Sequence, residues 1–256
     1  MAARRGRRRR RRGRFGFLYK LLSLVLILAA LIAGCIVFFR VEKITIAGST
    51  VYTDEEIIAA AGVEMGDNLF LVGRVQTSGK IRRQLPYIDT VNVRWALPDT
   101  LVINVTECTP VGALEGDDGT WWVIDASCKL LERGGSELTR QYPKISGLTA
   151  LMPAEGSELA VSVEERSKLD SLKQLLSALD EREMLPQVQA IDLSGTSEIR
   201  MSYEDRFTVR MPLYSDDFRL LAHTLQAAAA KLTAGQTGTI DLTVDLGREK
   251  AHFIPD

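Results

Sequence analysis

The sequence predicts an α+β protein: a single N-terminal transmembrane helix, then a β-α-α-β-β unit, then a strand-rich α+β C-terminal domain. Three observations carry this. Residues 21–39 contain no charged side chain. Residues 41–106 alternate between period-2 and helical apolar patterns in the order β-α-α-β-β. Beyond Pro110, short alternating runs bounded by glycine and proline take over. The chain divides accordingly into 1–16, a basic tail; 17–39, the span; 40–109, the first exterior unit; and 110–256, the strand-rich domain.

The formal net charge of −1 conceals an asymmetry. Residues 1–20 hold Arg4, Arg5, Arg7, Arg8, Arg9, Arg10, Arg11, Arg12, Arg14 and Lys20, and no acid. Of 32 basic residues, 22 remain to face all 33 acids, so residues 21–256 carry a net −11. The uncharged run from Leu21 to Phe39 would extend about 28 Å as a helix, one hydrocarbon thickness. Clustered arginines beside a first span are retained on the cytoplasmic side. The tail is therefore expected in the cytoplasm, its arginines against anionic headgroups, and the bulk of the chain outside. Nucleic acid is the weaker partner for the arginine tract, since no folded nucleic-acid module comes after it. A cleaved signal peptide fits poorly, because the apolar run is long and has no small-x-small site before a polar stretch. Leu31-Ile32-Ala33-Gly34-Cys35 resembles a lipoprotein box, but Ile36-Val37-Phe38-Phe39 continues the apolar run where such proteins turn polar.

In the first exterior unit, Val41, Ile44 and Ile46 mark a strand that starts almost at the membrane. Thr53-Asp54-Glu55-Glu56 is a capping box opening a short helix that Gly62 stops. Met65–Phe70 is a loop with two apolar anchors. A second helix covers 74–85, with Val75, Ile81 and Leu85 expected inward and Pro86 ending it. Two strands come next, with Val91, Val93 and Trp95 on one face, then Leu101, Ile103 and Val105; Leu97-Pro98-Asp99 turns between them.

In the second domain, 111–114 and 121–124 flank a Gly/Asp hairpin loop. Tyr142–Gly147 reads as a crossing and 148–160 as loop. An amphipathic helix spans 163–179, with Leu169, Leu172, Leu175, Leu176 and Leu179 inward. Strands are expected over 188–193, 197–203 and 207–211. A helix over 215–232 is N-capped by Ser215, and closing strands cover 239–246 and 251–254 around a Gly247–Lys250 turn.

This order resembles the bacterial cell-division protein family FtsQ, called DivIB in Gram-positive bacteria, and the first unit resembles its POTRA domain. The residues that carry the likeness are Gly48 after the first strand; Pro98, Thr100, Leu101, Ile103, Val105 and Glu107; Pro110-Val111; Trp122, Ile124 and Asp125; Pro143, Ile145 and Gly147; and Gly238 to Leu242. The resemblance implies a non-catalytic divisome scaffold. Its partners would be the small single-span division proteins FtsB (DivIC) and FtsL, bound through the C-terminal part of the strand-rich domain, at the division septum. The other reading of a POTRA-bearing envelope protein is a chaperone or translocation accessory that holds extended polypeptides by strand addition.

The chain departs from the family pattern at Cys108 and Cys128. A hairpin centred near Asp118 would place these two opposite one another, so a cross-strand disulfide at the junction of the two exterior units is expected; the other reading is two buried free thiols that pack as small hydrophobes. No catalytic, cofactor or metal site is expected. His223 and His252 are isolated in the sequence, and neither nucleophile, phosphate-loop nor metal-ligand spacing occurs. Binding through an open sheet edge is the expected chemistry. The candidate is Ala251, His252, Phe253 and Ile254, with Phe253 as anchor and Ala251 on its face; the other reading has Phe253 filling the domain's own core.

Overall fold

The computed structural model describes residues 14–116, 118–233, 235–243 and 251–256. The arginines Arg4 to Arg12, the Gly247–Lys250 turn and the end of the strand expected over 239–246 lie outside the described residues.

Helix α1 (Arg14–Phe38) is apolar on every side and touches little of the remaining chain. Its stretch Phe17–Cys35 is long and apolar enough to cross a membrane. A helix with no polar face, exposed along its length, is compatible with a single-pass membrane anchor.

The first exterior unit is a three-stranded sheet under two helices. Strand β1 (Lys43–Ala47) runs parallel to β3 (Thr100–Glu107), and β2 (Ile88–Ala96) runs antiparallel to β3 on its other side. The register sets Val93 opposite Ile103 and Val91 opposite Val105, so one face of the sheet is continuously apolar. Helices α2 (Asp54–Ala61) and α3 (Arg74–Gln84) cover it, burying Ile57, Leu69, Ile81, Ile88, Leu101 and Ile103 completely. Thr53 and Glu56 form the reciprocal capping box, and Gly62 closes α2 in the left-handed conformation. Gly48 sits at φ +98°, pressed against the Val105 carbonyl, where a Cβ would collide with the oxygen. Val75 is a correction: it is 87% exposed, and Thr77 takes the inward place beside Ile81.

The second domain is one nine-stranded sheet in the order β12-β11-β10-β9-β8-β7-β4-β5-β6. The strands are β4 (Pro110–Glu115), β5 (Trp121–Asp125), β6 (Leu130–Gly134), β7 (Lys144–Ser146), β8 (Val188–Asp192), β9 (Glu198–Tyr203), β10 (Phe207–Pro212), β11 (Gly238–Asp241) and β12 (His252–Pro255). Helices α4 (Arg166–Asp180) and α5 (Phe218–Ala229) pack together over one face. All five leucines expected inward on α4 are buried there, with Phe218, Leu221 and Leu225 from α5. Two strands were not expected. β6 is short and mostly polar at its end. β7 is three residues long, inserted in parallel between β4 and β8. Gly147 ends it at φ +90° because Leu193 and Ser194 leave no room for a side chain. The cap of α5 is Asp217, which accepts from Leu220 N at 2.9 Å; Ser215 instead accepts from Asp217 N.

Candidate partner-binding edge and the domain junction

The nine-stranded sheet has two outer strands, and their surroundings differ. At one end, the loop 156–159 folds along β6. Leu130 N donates to Ser157 O, Gly156 N to Leu130 O, and Leu159 N to Cys128 O, at 2.7–2.9 Å. The first exterior unit adds to this end. Lys129 is buried and its Nζ donates to Ile88 O at 2.7 Å. The Tyr87 hydroxyl donates to Glu132 Oε2 at 2.8 Å; burial pushes its pKa up, and Glu132 pushes it further. A second apolar cluster, Cys108, Ala113, Val123, Leu131 and Leu138 with Tyr87 and Tyr142 at its rim, fills the space between the units.

At the other end, β12 pairs antiparallel with β11, Phe253 opposite Ile240 and His252 opposite Asp241. Among the described residues no strand lies beyond it. β11 is held in place by charge. Asp241 accepts from Thr243 N, Thr243 Oγ1 and Arg210 Nη1, while Arg210 also grips Glu198 at 2.6 Å, tying β9, β10 and β11 together. Burial pushes the Asp241 carboxyl up, but the Thr243 donors, Arg210 and His252 outweigh it and hold it below its ordinary value. Ala251 and Phe253 turn inward, and the Phe253 ring meets Phe207 edge-on at 6.1 Å. His252 is exposed and Ile254 is 53% exposed. The four candidate residues thus divide: two seat the strand on its own core and two face out. Between α5 and β12 lies a groove of about 490 Å³, lined by Ala227, Ala228, Lys231, Ala251, His252 and Phe253 among others.

An open backbone edge beside a groove of mixed polar and apolar lining can take an added strand and the segment continuing from it. Comparison with known proteins bears on this directly. Residues 39–107 match the family model described as a POTRA domain, FtsQ-type. Beyond that domain, the chain is similar to the cell division proteins FtsQ and DivIB. It is 29% identical over 166 residues to the cell division protein FtsQ of Syntrophotalea carbinolica, covering 64% of this chain and 56% of that protein. It is 25% identical over 179 residues to FtsQ of Corynebacterium glutamicum, 62% of this chain and 78% of that one. It is also 25% identical over 208 residues to the cell division protein DivIB of Listeria monocytogenes, 80% of this chain and 70% of that one. The chain thus spans about half the length of the Syntrophotalea relative.

The expected disulfide is not formed. Cys108 and Cys128 are free thiols, and they belong to different apolar clusters, Cys108 between the units and Cys128 under the helices. The hairpin sum that would join them holds only from Gly112 to Glu115; a bulge between Pro110 and Gly112 shifts the register. Beyond it, Asp125 accepts from Ser127 and Lys129 N–H and turns the chain, and Cys128 sits there at φ +62°. Burial pushes Cys108 to about 11, against the pull of Lys129, and burial pushes Cys128 to about 12. Both are inert thiols under physiological conditions.

Sequence reading missed the junction residues Tyr87, Lys129 and Glu132. A lysine next to a short polar-ended strand gives no periodic signal, and its burial depends on a carbonyl some forty residues earlier in the chain. The clue that was present is Asp125-Ala126-Ser127-Cys128, an aspartate turn that fixes where Lys129 must point.

Proposed function

We infer that this chain is a non-catalytic scaffold of the bacterial division machinery, held by one span with its basic tail in the cytoplasm and its two exterior units at the septal membrane. Its partners are FtsB (DivIC)-type and FtsL-type single-span proteins, and the edge residues Ala251, His252, Phe253 and Ile254 form the docking strand. The observation that carries the reading is β12, the outer strand of the sheet, which pairs with β11 and has no strand beyond it among the described residues, in a chain similar to FtsQ and DivIB. A partner strand would add along its backbone, with Ile254 and His252 offering side-chain contacts and the groove under α5 receiving the partner's next residues. The arginines Arg4, Arg5, Arg7, Arg8, Arg9, Arg10, Arg11, Arg12 and Arg14 would hold the tail to anionic headgroups.

Removal of residues 251–256 from the full chain, with capture of FtsB/FtsL-type partners measured beside the melting curve, tests the docking strand. Loss of capture with a persisting cooperative melt is expected; unchanged capture from a folded protein refutes it. Fluorescence imaging separates the scaffold from a strand-adding envelope chaperone. The scaffold concentrates as a mid-cell band, whereas the chaperone spreads over the envelope.

A further inference from the structure

The end of α1 does not hand over to a linker. Leu69 N donates to Phe39 O at 2.9 Å, and the Asn68 side-chain amide donates to Cys35 O at 3.4 Å. The loop 65–72 therefore stands level with the last turn of the span. From this loop an aromatic chain runs outward along the first exterior unit. Phe38 meets Phe39 at 5.2 Å, Phe39 meets Phe70 at 4.9 Å, and Phe70 meets Trp95 at 5.4 Å, with the Arg74 guanidinium over the Trp95 ring at 4.6 Å. Around it, Leu71 is 80% exposed, Leu97 60% and Phe70 43%, beside the 87% of Val75. Leu97 lies two residues beyond Trp95, in the turn after β2 whose Asp99 carbonyl accepts from Glu42 and Lys43 N–H just past the helix.

A lone exposed leucine needs no explanation, but a contiguous apolar and aromatic group on a folded unit marks something that covers it. Here the occupant is dictated by position. Atoms of this loop are hydrogen-bonded to the helix at Cys35 and Phe39, which is where the apolar stretch reaches the membrane boundary. At that depth aromatic rings and leucines partition into the interface, and the exposed Arg40, Lys43 and Arg74 are placed to meet headgroup phosphates.

We propose that the first exterior unit is bedded in the outer face of the bilayer through Phe70, Leu71, Val75 and Leu97, a second membrane contact that fixes the unit's tilt as the span fixes its height. A single helix leaves rotation and tilt free; a second contact off its axis removes them. The domain above, with its docking strand, would then be presented at one orientation to other single-span proteins. The inference rests on α1 crossing the membrane.

The test is site-directed spin labelling of the full chain in lipid nanodiscs, one copy per disc, in a C35A background that leaves the two buried thiols unlabelled. Labels are placed at Leu28→Cys within the span, at Leu71→Cys and Val75→Cys on the proposed contact, and at Met152→Cys on the far domain. Each is read by relaxation with oxygen, which enriches in lipid, and with a water-soluble nickel chelate. All three surface positions are strongly exposed, so the melting curve should be unchanged. Oxygen-to-nickel ratios at 71 and 75 displaced from the Met152 value toward the Leu28 value are expected. Ratios at 71 and 75 equal to that of Met152, with Leu28 embedded, overturn the proposal and leave the span standing; they point instead to a protein partner over the patch. A water-accessible Leu28 overturns the span and the bedding together.

Discussion

The two outer strands of the nine-stranded sheet face the same physical problem and meet it in opposite ways. Both β6 and β12 carry a row of backbone donors and acceptors that water or another strand must satisfy. At β6 the chain supplies its own cover. Loop 156–159 pairs with Cys128 and Leu130 at the start of the strand, Lys129 reaches under the first exterior unit to Ile88 O, and Tyr87 closes over Glu132. At β12 nothing among the described residues pairs with the outer side, although the inner side is fastened by Phe253 on Phe207 and by the Arg210–Asp241 pair behind it. A protein that covers one edge with this much structure is capable of covering the other. On the proposed function, the β6 end serves stability and the β12 end recognition.

Under that division, substitutions at the two ends should separate stability from capture. The largest effect is expected at the closed end. Leu130 is fully buried on β6, and Leu130→Ala should lower the unfolding free energy by about 2–5 kcal/mol through lost burial and a residual cavity. Chemical denaturation measures it. Partner capture at a temperature where the variant is still folded should match the parent, because the docking strand lies at the opposite edge.

Phe253 is the mixed case. Its ring is half-buried and makes one edge-on contact with Phe207. Phe253→Ala should cost about 1–2 kcal/mol, part of the value for a wholly buried ring. It should weaken capture as well, by loosening the strand on which a partner would add. A variant that loses stability but captures fully would mean that β12 serves only its own core.

The first exterior unit ties its chain with a charge, and this makes its contribution pH-dependent. Glu107, at the end of β3, accepts from Val51 N, Thr50 N, Thr50 Oγ1 and Ser49 Oγ, at 2.7–2.8 Å, and so pins the turn after β1. Partial desolvation pushes this carboxyl up, but the donors from Val51, Thr50 and Ser49 outweigh it and bring it down from 4.5 to about 2. Because the folded value is the lower one, the stabilisation is complete above about pH 4.5 and is lost as the pH falls toward 2. With solvent screening at this half-exposed site, the contribution is about 1 kcal/mol. Melting curves across that acid range should fall less steeply for Glu107→Gln than for the parent.

Much of this was legible in the sequence, for reasons particular residues show. Thr53 to Glu56 form the capping box that their spacing announces, and the five leucines of α4 are buried as their period requires. Local chemistry decides such features, and local chemistry is what a sequence displays. The failures are all non-local. Val75 fits an apolar helical pattern but lies on the exposed face of α3 rather than against the sheet. Cys108 and Cys128 satisfy the arithmetic of a regular hairpin, and one bulge after Pro110 was enough to send them to opposite faces. β7 is too short to show a period and exists because β4 and β8 receive it on both sides. At the candidate site, the alternation was enough to place residues 251–254 as an outer strand. Which of the four face outward was not legible, since that depends on where α5 packs.

The smallest stability effect carries the sharpest meaning. Ile254 is paired with Thr239 and more than half exposed. Ile254→Ala removes little burial, so its cost should be under about 0.5 kcal/mol and its melting curve should overlay the parent's. If β12 recruits a partner strand, the outward side chain contributes to the new contact, and capture should fall while stability does not. Leu130→Ala should give the reverse. Opposite responses from the two ends of one sheet would separate the roles, because a general loosening of the domain would move both measurements together. Equal capture by Ile254→Ala and the parent would confine recognition to the backbone edge and the groove under α5, where Ala228→Glu is the next substitution to measure.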